Sequence, residues 1–147
     1  MEGKIKTMEN NKDSLNQFGL TPDNSIVVGS GILSALQLRK SNDIDVIATE
    51  EKYKELSSDN HFKEEYSHGR YFLSDGLFEI STGWTIVGKR WDFNSLLDES
   101  TIIDGVRYNT VEFLLNAKSA WVKNGEERPK DVADIKLMEA YLSSIKQ

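Results

Sequence analysis

Three acidic residues stand where predicted strands would gather them into a site for a divalent cation. Asp43 and Asp45 flank Ile44 at the start of a β-branched run, and Glu79 interrupts the apolar run over residues 77–80. Strand side chains alternate between faces, so the two aspartates are predicted to point the same way. Like charges that close raise each other's pKa unless a cation binds between them. Carboxylates and substrate phosphates are the ligands that Mg²⁺ or Mn²⁺ takes in such sites.

Each of these acidic residues also has a structural interpretation. A solvated strand end accounts for Asp43 and Asp45, and the wet face of an antiparallel strand accounts for Glu79. Carboxylates are rarely buried unless they are paired or metal-bound. The position of Glu79 therefore discriminates between two functions. If Glu79 lies close to both aspartates, a catalytic metal site is favoured. If its side chain faces bulk solvent, a protein that binds a nucleotide or a partner without catalysis is favoured.

A glycine and a serine between a predicted strand and a predicted helix form a candidate phosphate loop. Gly29 permits a close backbone approach. The free amides of the first helical turn attract an anion, and Ser30 adds a hydroxyl. Alone, this pattern is typical of an ordinary strand-to-helix turn with a serine cap. If it is only a turn, in a different small α/β domain, Asp43 and Asp45 should lie far from Ser30.

Hydrophobic periodicity and turn residues predict the elements that position these side chains. Asp-Gly pairs predict two hairpins, one at Gly76 and one at Gly105, while Thr110 and Pro129 mark helix starts. In chain order the sequence predicts a short helix near residues 15–19, a strand over 25–28, a helix over 30–40, a strand over 44–48, a helix over 50–56, strands over 71–73, 77–80 and 85–87, a helix over 92–98, strands over 101–103 and 106–108, and helices over 111–123 and 129–144. This order predicts a small mixed α+β domain.

Composition limits the class of protein. The 147 residues predict one domain over residues 1–147, with residues 1–12 partly disordered. The absence of Cys excludes disulfides, thiol catalysis and thiolate-bound metal, and two His argue against a His-rich zinc site. A net charge of −6 argues against binding of duplex DNA. No apolar run has membrane-spanning length and residues 1–16 are polar, so we expect no membrane partner and a cytoplasmic location.

Together, these residues resemble the signature of the nucleotidyltransferase superfamily, the fold of DNA polymerase beta. Members share a hydrophobic strand ending in Gly-Gly or Gly-Ser, a helix, a loop that often carries Arg-x-Ser/Thr, and Asp-x-Asp inside the next strand. The matching residues here are Gly29, Ser30, Arg39, Ser41, Asp43 and Asp45. Asp43 follows Ser30 by 13 positions, a spacing typical of the family. Glu79 matches the third acidic residue by position, although Asp is more usual there.

The C-terminal part resembles small stand-alone bacterial members, a group that includes toxin-type proteins of abortive-infection systems and is related to the aminoglycoside and lincosamide nucleotidyltransferases. Lys118, followed by Arg128, Lys130, Asp131 and Asp134, resembles their Lys and Arg-x-Lys-Asp-x-x-Asp elements. Lys118 interrupts an apolar helical stripe, and charges on such stripes need partners. The alternatives to a phosphate-binding Lys118 are a structural salt bridge to Asp131 and an ammonium that extends to solvent.

The resemblance implies transfer of a nucleoside monophosphate from a nucleoside triphosphate to an acceptor hydroxyl, with two metal ions assisting an in-line displacement at the α-phosphorus. It assigns Mg²⁺ or Mn²⁺ to Asp43, Asp45 and Glu79, with Glu79 also helping to deprotonate the acceptor. It assigns nucleotide contacts to Gly29, Ser30, Arg39, Ser41 and Lys118.

Several properties stay open at this point. The acceptor is an antibiotic, a tRNA, a protein hydroxyl or a small metabolite, and neither the nucleotide nor a homo-oligomer or protein partner is specified. The alternative function is a catalytically inactive member that binds a nucleotide or a partner. The three tryptophans, Trp84, Trp91 and Trp121, are predicted to be core or rim residues rather than a platform for stacking a base.

Overall fold

The computed structural model of the protein describes residues 12–41, 43–67, 69–125 and 128–145. The predicted disorder over residues 1–12 concerns a segment outside these ranges, apart from Lys12. The strands are β1 (Ser25–Val28), β2 (Ile44–Ala48), β3 (Lys63–Ser67), β4 (Arg70–Ser74), β5 (Phe78–Ser81), β6 (Gly83–Ile86), β7 (Lys89–Asp92), β8 (Ser100–Ile103) and β9 (Val106–Asn109). The helices are α1 (residues 12–17), α2 (Gly31–Ala35), α3 (Glu50–Ser57), α4 (Phe93–Leu96, continued by a 3₁₀ turn over Leu97–Glu99), α5 (Val111–Lys123) and α6 (Pro129–Ile145). None of the helices in these ranges has both the length and the apolar character needed to cross a bilayer.

Seven strands form one mixed sheet in the order β3-β4-β5-β2-β1-β9-β8, and β6 pairs with β7 in a separate two-stranded sheet. β1 runs antiparallel to β2 and parallel to β9, and β2 runs parallel to β5. The predicted hairpins at Gly76 and Gly105 are the antiparallel pairs β4/β5 and β8/β9. The predicted α+β class is therefore confirmed. The parallel pairing of β2 with β5 matters most for the site, because it brings distant parts of the chain side by side.

The seven-stranded sheet separates two apolar clusters. Val46 of β2 packs in one cluster with Leu33 of α2 and Met138 of α6. The next residue, Ile47, packs in the other cluster with Phe113 of α5. Adjacent strand residues point to opposite faces, which explains how one strand feeds both clusters. Helices on both faces therefore fix β2 in place, and β2 carries the acidic residues of interest.

Helix α2 is shorter than predicted and ends at Ala35 instead of residue 40. Gln37 adopts φ +61, and the amide of Leu38 donates to the carbonyl of Leu33 at 2.8 Å. This bond, with a left-handed residue just before it, is the Schellman termination of a helix. The turn sends the chain back along α2, so that Ser41 Oγ lies 3.0 Å from Ser30 Oγ.

Two strands were not predicted, β3 and β7. The sequence of β3, Lys-Glu-Glu-Tyr-Ser, carries charges that suit an exposed edge strand and hide any apolar alternation. β7 follows a two-residue turn in which Val87 has φ +43 and Gly88 has φ +81. Two successive positive φ values define the hairpin turn that matches strand twist. A β-branched Val is strained there, so its sequence gives no turn signal.

Helix α5 forms one wall of the site described below, and its start is capped. Thr110 Oγ1 accepts the amide of Phe113 at 3.1 Å, as the sequence predicted for a capping threonine.

Removal of this cap is expected to destabilise the protein. Thr110→Ala leaves the Phe113 amide without its acceptor, so we expect the free energy of unfolding to fall by about 1 kcal/mol in urea denaturation. Thr110→Ser keeps the hydroxyl and should lie close to wild type. Equal losses in the two variants would contradict a role for the hydroxyl.

Candidate active site

A cleft of about 250 Å³ lies against the end of β1 and the adjoining face of β2 and β5. Val28 pairs with Asp45 across β1/β2, and Asp45 pairs with Glu79 across β2/β5. Directly paired residues share a face of the sheet, so both carboxylates line the cleft. Gly29, at φ +74, turns the chain beside them, and a Cβ built on it would lie 3.8 Å from Asp45 Oδ2. The Gly-Ser turn and the carboxylate pair are therefore neighbours. The remaining lining includes Ser30, Arg70, Ser81, Gly83, Trp84, Lys118, Trp121, Arg128 and Lys130.

Asp45 has a strongly raised pKa. Its side chain is exposed to the cleft, yet the cleft walls remove part of its hydration. This desolvation, followed by the negative charge of Glu79, raises the pKa of Asp45 from 3.8 to about 6. Asp43 adds to the increase, and the positive charges of Arg70 and Lys130 oppose it. A strongly perturbed carboxyl inside a cleft is typical of a functional site.

Arg70 is a site residue that the sequence did not reveal. It begins β4, and its Nη2 lies 3.8 Å from Oε1 of Glu79. Arg70 also lines a second, larger cavity beside the cleft. In the sequence, an arginine at the start of a strand that follows a turn does not indicate a functional site. The antiparallel pairing of β4 with β5 is what brings it to Glu79.

A buried ion network forms the opposite wall. Lys118 Nζ lies 2.7 Å from Asp131 Oδ1 and 3.3 Å from Asp134 Oδ2, and all three residues are at least 96% buried. Arg39 binds Asp134 through two bonds of 2.7 Å, and Arg128 binds Asp131 through two bonds of 2.9 and 3.0 Å. Burial alone would raise the pKa of Asp131, but the bonds from Arg128 and Lys118 outweigh it and hold that pKa below its usual value.

This network decides part of what the sequence left open. The salt bridge from Lys118 to Asp131, one of the alternatives for this lysine, is present, and Lys118 nevertheless lines the cleft. Arg39 is engaged by Asp134, and its third guanidinium nitrogen donates to the carbonyl of Lys40 at 2.7 Å. Nucleotide contacts by Arg39 and Lys118 stay predictions, and any such contact has to coexist with these ion pairs.

Asp43 and Ser41 lie on the other side of the Gly-Ser turn. β2 begins at Ile44, so strand alternation does not extend to Asp43, which sits in a bend. Asp43 and Ser41 line a small cavity with Tyr108, and Asp45 lines the cleft. The common direction predicted for the two aspartates stays a prediction, and the charge of Asp43 is close enough to act on Asp45.

Solved structures of the aminoglycoside nucleotidyltransferase ANT(2'')-Ia share this architecture. A crystal structure of that protein in complex with adenylyl-2''-tobramycin gives a TM-score of 0.53 at 18% identity, over 84% of this chain and 82% of that chain. A solution structure of the same antibiotic-resistance factor gives 0.55 at 18% identity, over 98% and 85%. This chain has the nucleotidyltransferase fold. No protein-family model and no curated protein matches it.

Within the nucleotidyltransferase fold, the carboxylate pair has the chemistry that suits a hard divalent cation. The donors are oxygens, and the repulsion between Glu79 and Asp45 is the kind that a cation relieves. Mg²⁺ is commonly held by one or two carboxylates together with substrate phosphates and water. Across the described ranges, no group of three His, Cys, Asp or Glu side chains is arranged to hold a metal. Asp45 and Glu79 therefore fit one cation, and Asp43 as a ligand stays a prediction.

Two tryptophans line the cleft. The rings of Trp84 and Trp121 are 6.0 Å apart, and both side chains are half-buried. Trp91 instead packs against Phe113, with ring centroids 4.8 Å apart. The prediction of core or rim positions describes all three, and the first two are rim residues that face the site.

A second cavity of about 1030 Å³ adjoins the cleft. The two share Arg70, Ser81, Gly83 and Trp84. We call this second cavity the outer groove. It is bounded by the start of α3, the β3/β4 hairpin and the β6/β7 hairpin. Its further lining includes Glu50, Glu51, Tyr53, Lys54, Glu64, Tyr71 and Arg90.

Neutralising Asp45 is expected to stabilise the protein at neutral pH. A carboxyl whose pKa is higher in the folded state keeps its proton longer there, so ionisation costs stability as pH rises from 3.8 to about 6 and the full cost persists above that. We expect Asp45→Asn to raise the free energy of unfolding by roughly 1 kcal/mol at pH 7, after allowance for solvent screening.

Denaturant unfolding at several pH values checks this expectation. The gain should shrink as pH falls from about 6 and vanish below 3.8, because Asp45 is then protonated in both states. Asp23→Asn, which removes an exposed charge at the opposite end of β1, should show no such gain. A gain for Asp45→Asn that does not vary with pH would contradict the electrostatic cause.

Proposed function

We propose that the protein transfers a nucleoside monophosphate from a nucleoside triphosphate to an acceptor hydroxyl, in a reaction that depends on Mg²⁺ or Mn²⁺. The supporting observation is the register of β2 with β5, which places Asp45 beside Glu79 in a cleft next to Gly29 and Ser30. The nucleotidyltransferase fold supports the same activity.

The triphosphate is proposed to lie along the Gly-Ser turn. The hydroxyl of Ser30 and the turn amides donate to phosphate oxygens. The opposite wall contributes positive charge: Arg39, Lys118 and Arg128 carry three positive charges against two on Asp131 and Asp134, which leaves one. Lys130 also lines the cleft and adds another positive charge. Fixed positive charge close to the phosphates lowers the energy of the transition state.

Asp45 and Glu79 would hold the divalent cation, with Asp43 as a third ligand suggested by the family pattern. The bound cation would supply charge that neutralises phosphate oxygens. Glu79 lies between Asp45 and Arg70, one of the residues that both cavities share, and is thus placed to accept the proton of an acceptor hydroxyl. The acceptor oxygen then bonds to the α-phosphorus, the bond to the bridging oxygen breaks, and pyrophosphate leaves with that electron pair.

The outer groove is the proposed acceptor site. Its volume of about 1030 Å³ is at the upper end of the range for small-molecule pockets. Its charges balance, with Glu50, Glu51 and Glu64 against Lys54, Arg70 and Arg90. This balance, with a net charge of −6, favours a small molecule over the polyanionic tRNA. The ANT(2'')-Ia complex contains adenylyl-2''-tobramycin, a nucleotidylated small molecule, which supports the same class of acceptor.

One observation favours a second candidate, a nucleotide-binding module without catalysis. In the ranges that the structure describes, only two of the three assigned carboxylates line the cleft. Nucleotide binding without release of pyrophosphate, across a panel of acceptors, would favour this candidate.

Nucleotide binding is expected to depend on Mg²⁺ and on Asp45. Trp84 and Trp121 line the cleft, so their fluorescence reports on occupancy during titration with ATP, GTP, CTP and UTP. With Mg²⁺, Asp45→Asn should weaken binding roughly tenfold or more, and with EDTA it should bind no worse than wild type, because a negative charge near the phosphates is gone. The control Asp98→Asn lies on an exposed turn and should match wild type. Failure of all four nucleotides to bind would overturn the proposal.

Transfer is expected to produce equal amounts of pyrophosphate and nucleotidylated small molecule. Tobramycin, a hydroxylated metabolite panel, tRNA and the protein itself are the acceptors to compare by mass spectrometry. Tyr71→Ala, which alters the outer groove, should raise KM for the acceptor and leave nucleotide affinity unchanged. Modification of tRNA or protein, with none of small molecules, would contradict the assignment of the groove.

A further inference from the structure

Arg70 is held beside the carboxylate pair by the sheet and by an aromatic ring. Ser74 pairs with Glu79, and Arg70 lies four residues before Ser74 on the same face of β4. The guanidinium carbon of Arg70 lies 5.1 Å from the centroid of Phe72, and its Nη2 lies 3.8 Å from Glu79 Oε1. Packing on the ring restricts the long side chain, so the guanidinium stays near Glu79.

The protein supplies part of the positive charge around the pair without any bound ion. Asp45 and Glu79 contribute two negative charges, and Asp43 adds a third nearby. Arg70 and Lys130 are the two cations that act against the raised pKa of Asp45. Arg70 comes from β4 beside Glu79, and Lys130 comes from α6 on the opposite wall. The protein thus partly neutralises its own carboxylates from both sides.

We propose that Arg70 is a built-in counter-ion of Glu79, which competes with a divalent cation for this carboxylate and keeps the nucleotide-free cleft from binding that cation tightly. The inference rests on the proposed function, because it assigns Arg70 a role at the same site. Arg70 acts through Glu79 and is a positioning residue.

The competition follows from the space beside Glu79. A divalent cation approaches carboxylate oxygens to about 2.1 Å and repels a guanidinium nearby. The phosphates of a nucleotide at Gly29 and Ser30 add negative charge and oxygen ligands, which shift the balance toward the cation. Arg70 then has the outer groove to move into, since it already lines that cavity. Cation binding is thereby coupled to nucleotide binding.

The test measures Mn²⁺ binding to the full chain without nucleotide, by the electron paramagnetic resonance signal of free Mn²⁺. Arg70→Gln removes the charge and keeps most of the side-chain size, and Arg70→Lys keeps the charge. Arg90→Gln is the matched control, because Arg90 lines the outer groove and donates to Thr82 Oγ1 at 2.9 Å. The double variant Arg70→Gln/Glu79→Gln tests whether any gain acts through Glu79. Circular dichroism verifies that each variant is folded.

We expect Arg70→Gln to bind Mn²⁺ on the order of tenfold more tightly than wild type, which is the effect of removing one nearby positive charge at an exposed site. Arg70→Lys and Arg90→Gln should stay within about threefold of wild type, and the double variant should lose the gain. The inference is overturned if Arg70→Gln binds Mn²⁺ no more tightly than wild type, or not at all. It is also overturned if Arg90→Gln gains as much, because the effect is then one of net charge.

The outcome is independent of the nucleotide titration. A gain for Arg70→Gln in a protein that binds no nucleotide would leave Arg70 as counter-ion and remove the proposed activity. Nucleotide binding without a gain for Arg70→Gln would keep the activity and remove the role of Arg70. If Arg70→Gln fails to fold, Arg70→Met decides by the same criterion, because it also removes the charge and keeps an unbranched side chain beside Phe72.

Discussion

The buried ion network on α5 and α6 is the interaction on which the rest of the site depends. Lys118, Asp131 and Asp134 are almost fully buried, and an unpaired charge in such a place is strongly destabilising. Each must therefore keep its partners, and the partners come from different parts of the chain. Arg39 reaches Asp134 from the turn after α2, and this contact ties the Gly-Ser turn to the C-terminal helices. Two walls of one cleft are in this way fixed to each other.

The carboxylate pair on the opposite wall destabilises the protein, in contrast to the buried ion network. Asp45 and Glu79 repel each other, and the cleft walls withhold water from Asp45, so the pair costs stability as long as no cation is near. Such a cost is typical of sites where function outweighs stability. Arg70 and Lys130 reduce the cost without removing it. Both cations line the cleft where a triphosphate is proposed to lie, and Arg70 also lines the outer groove.

The geometry also bears on the alternatives that the residues left open. Asp45 lies next to Gly29, which excludes the interpretation in which the aspartate is remote from the turn. Glu79 faces the cleft beside Asp45 rather than bulk solvent alone, which favours catalysis over binding, whereas the bend at Asp43 favours the reverse. The outer groove, the proposed acceptor site, adjoins the cleft through Arg70 and Trp84. These contacts make the activity testable one residue at a time.

Local patterns in the sequence predicted most of the elements. Asp104-Gly105 and Asp75-Gly76 specify hairpins because Gly adopts positive φ without strain, and Thr110 specifies a helix start because its hydroxyl replaces a missing acceptor. Gln37 and Val87 were missed for the complementary reason. Both adopt positive φ against their own preference, so only surrounding contacts hold them there. The charged strand β3 was missed because its composition carries no strand signal, and its backbone pairing with β4 is what holds it in the sheet.

The sequence by itself predicted the fold class and the types of chemical groups at the site. Gly-Ser after a buried strand, Asp-x-Asp at the start of the next strand and a lysine on an apolar helix face are local features, and they depend on spacing within short segments. The tertiary structure decided which groups meet. Glu79 joins Asp45 only through the parallel register of β2 and β5, Arg70 joins Glu79 only through β4, and Arg39 joins Asp134 only because α2 ends early. Strand register and helix ends are set by packing of the whole chain, and no single segment encodes them.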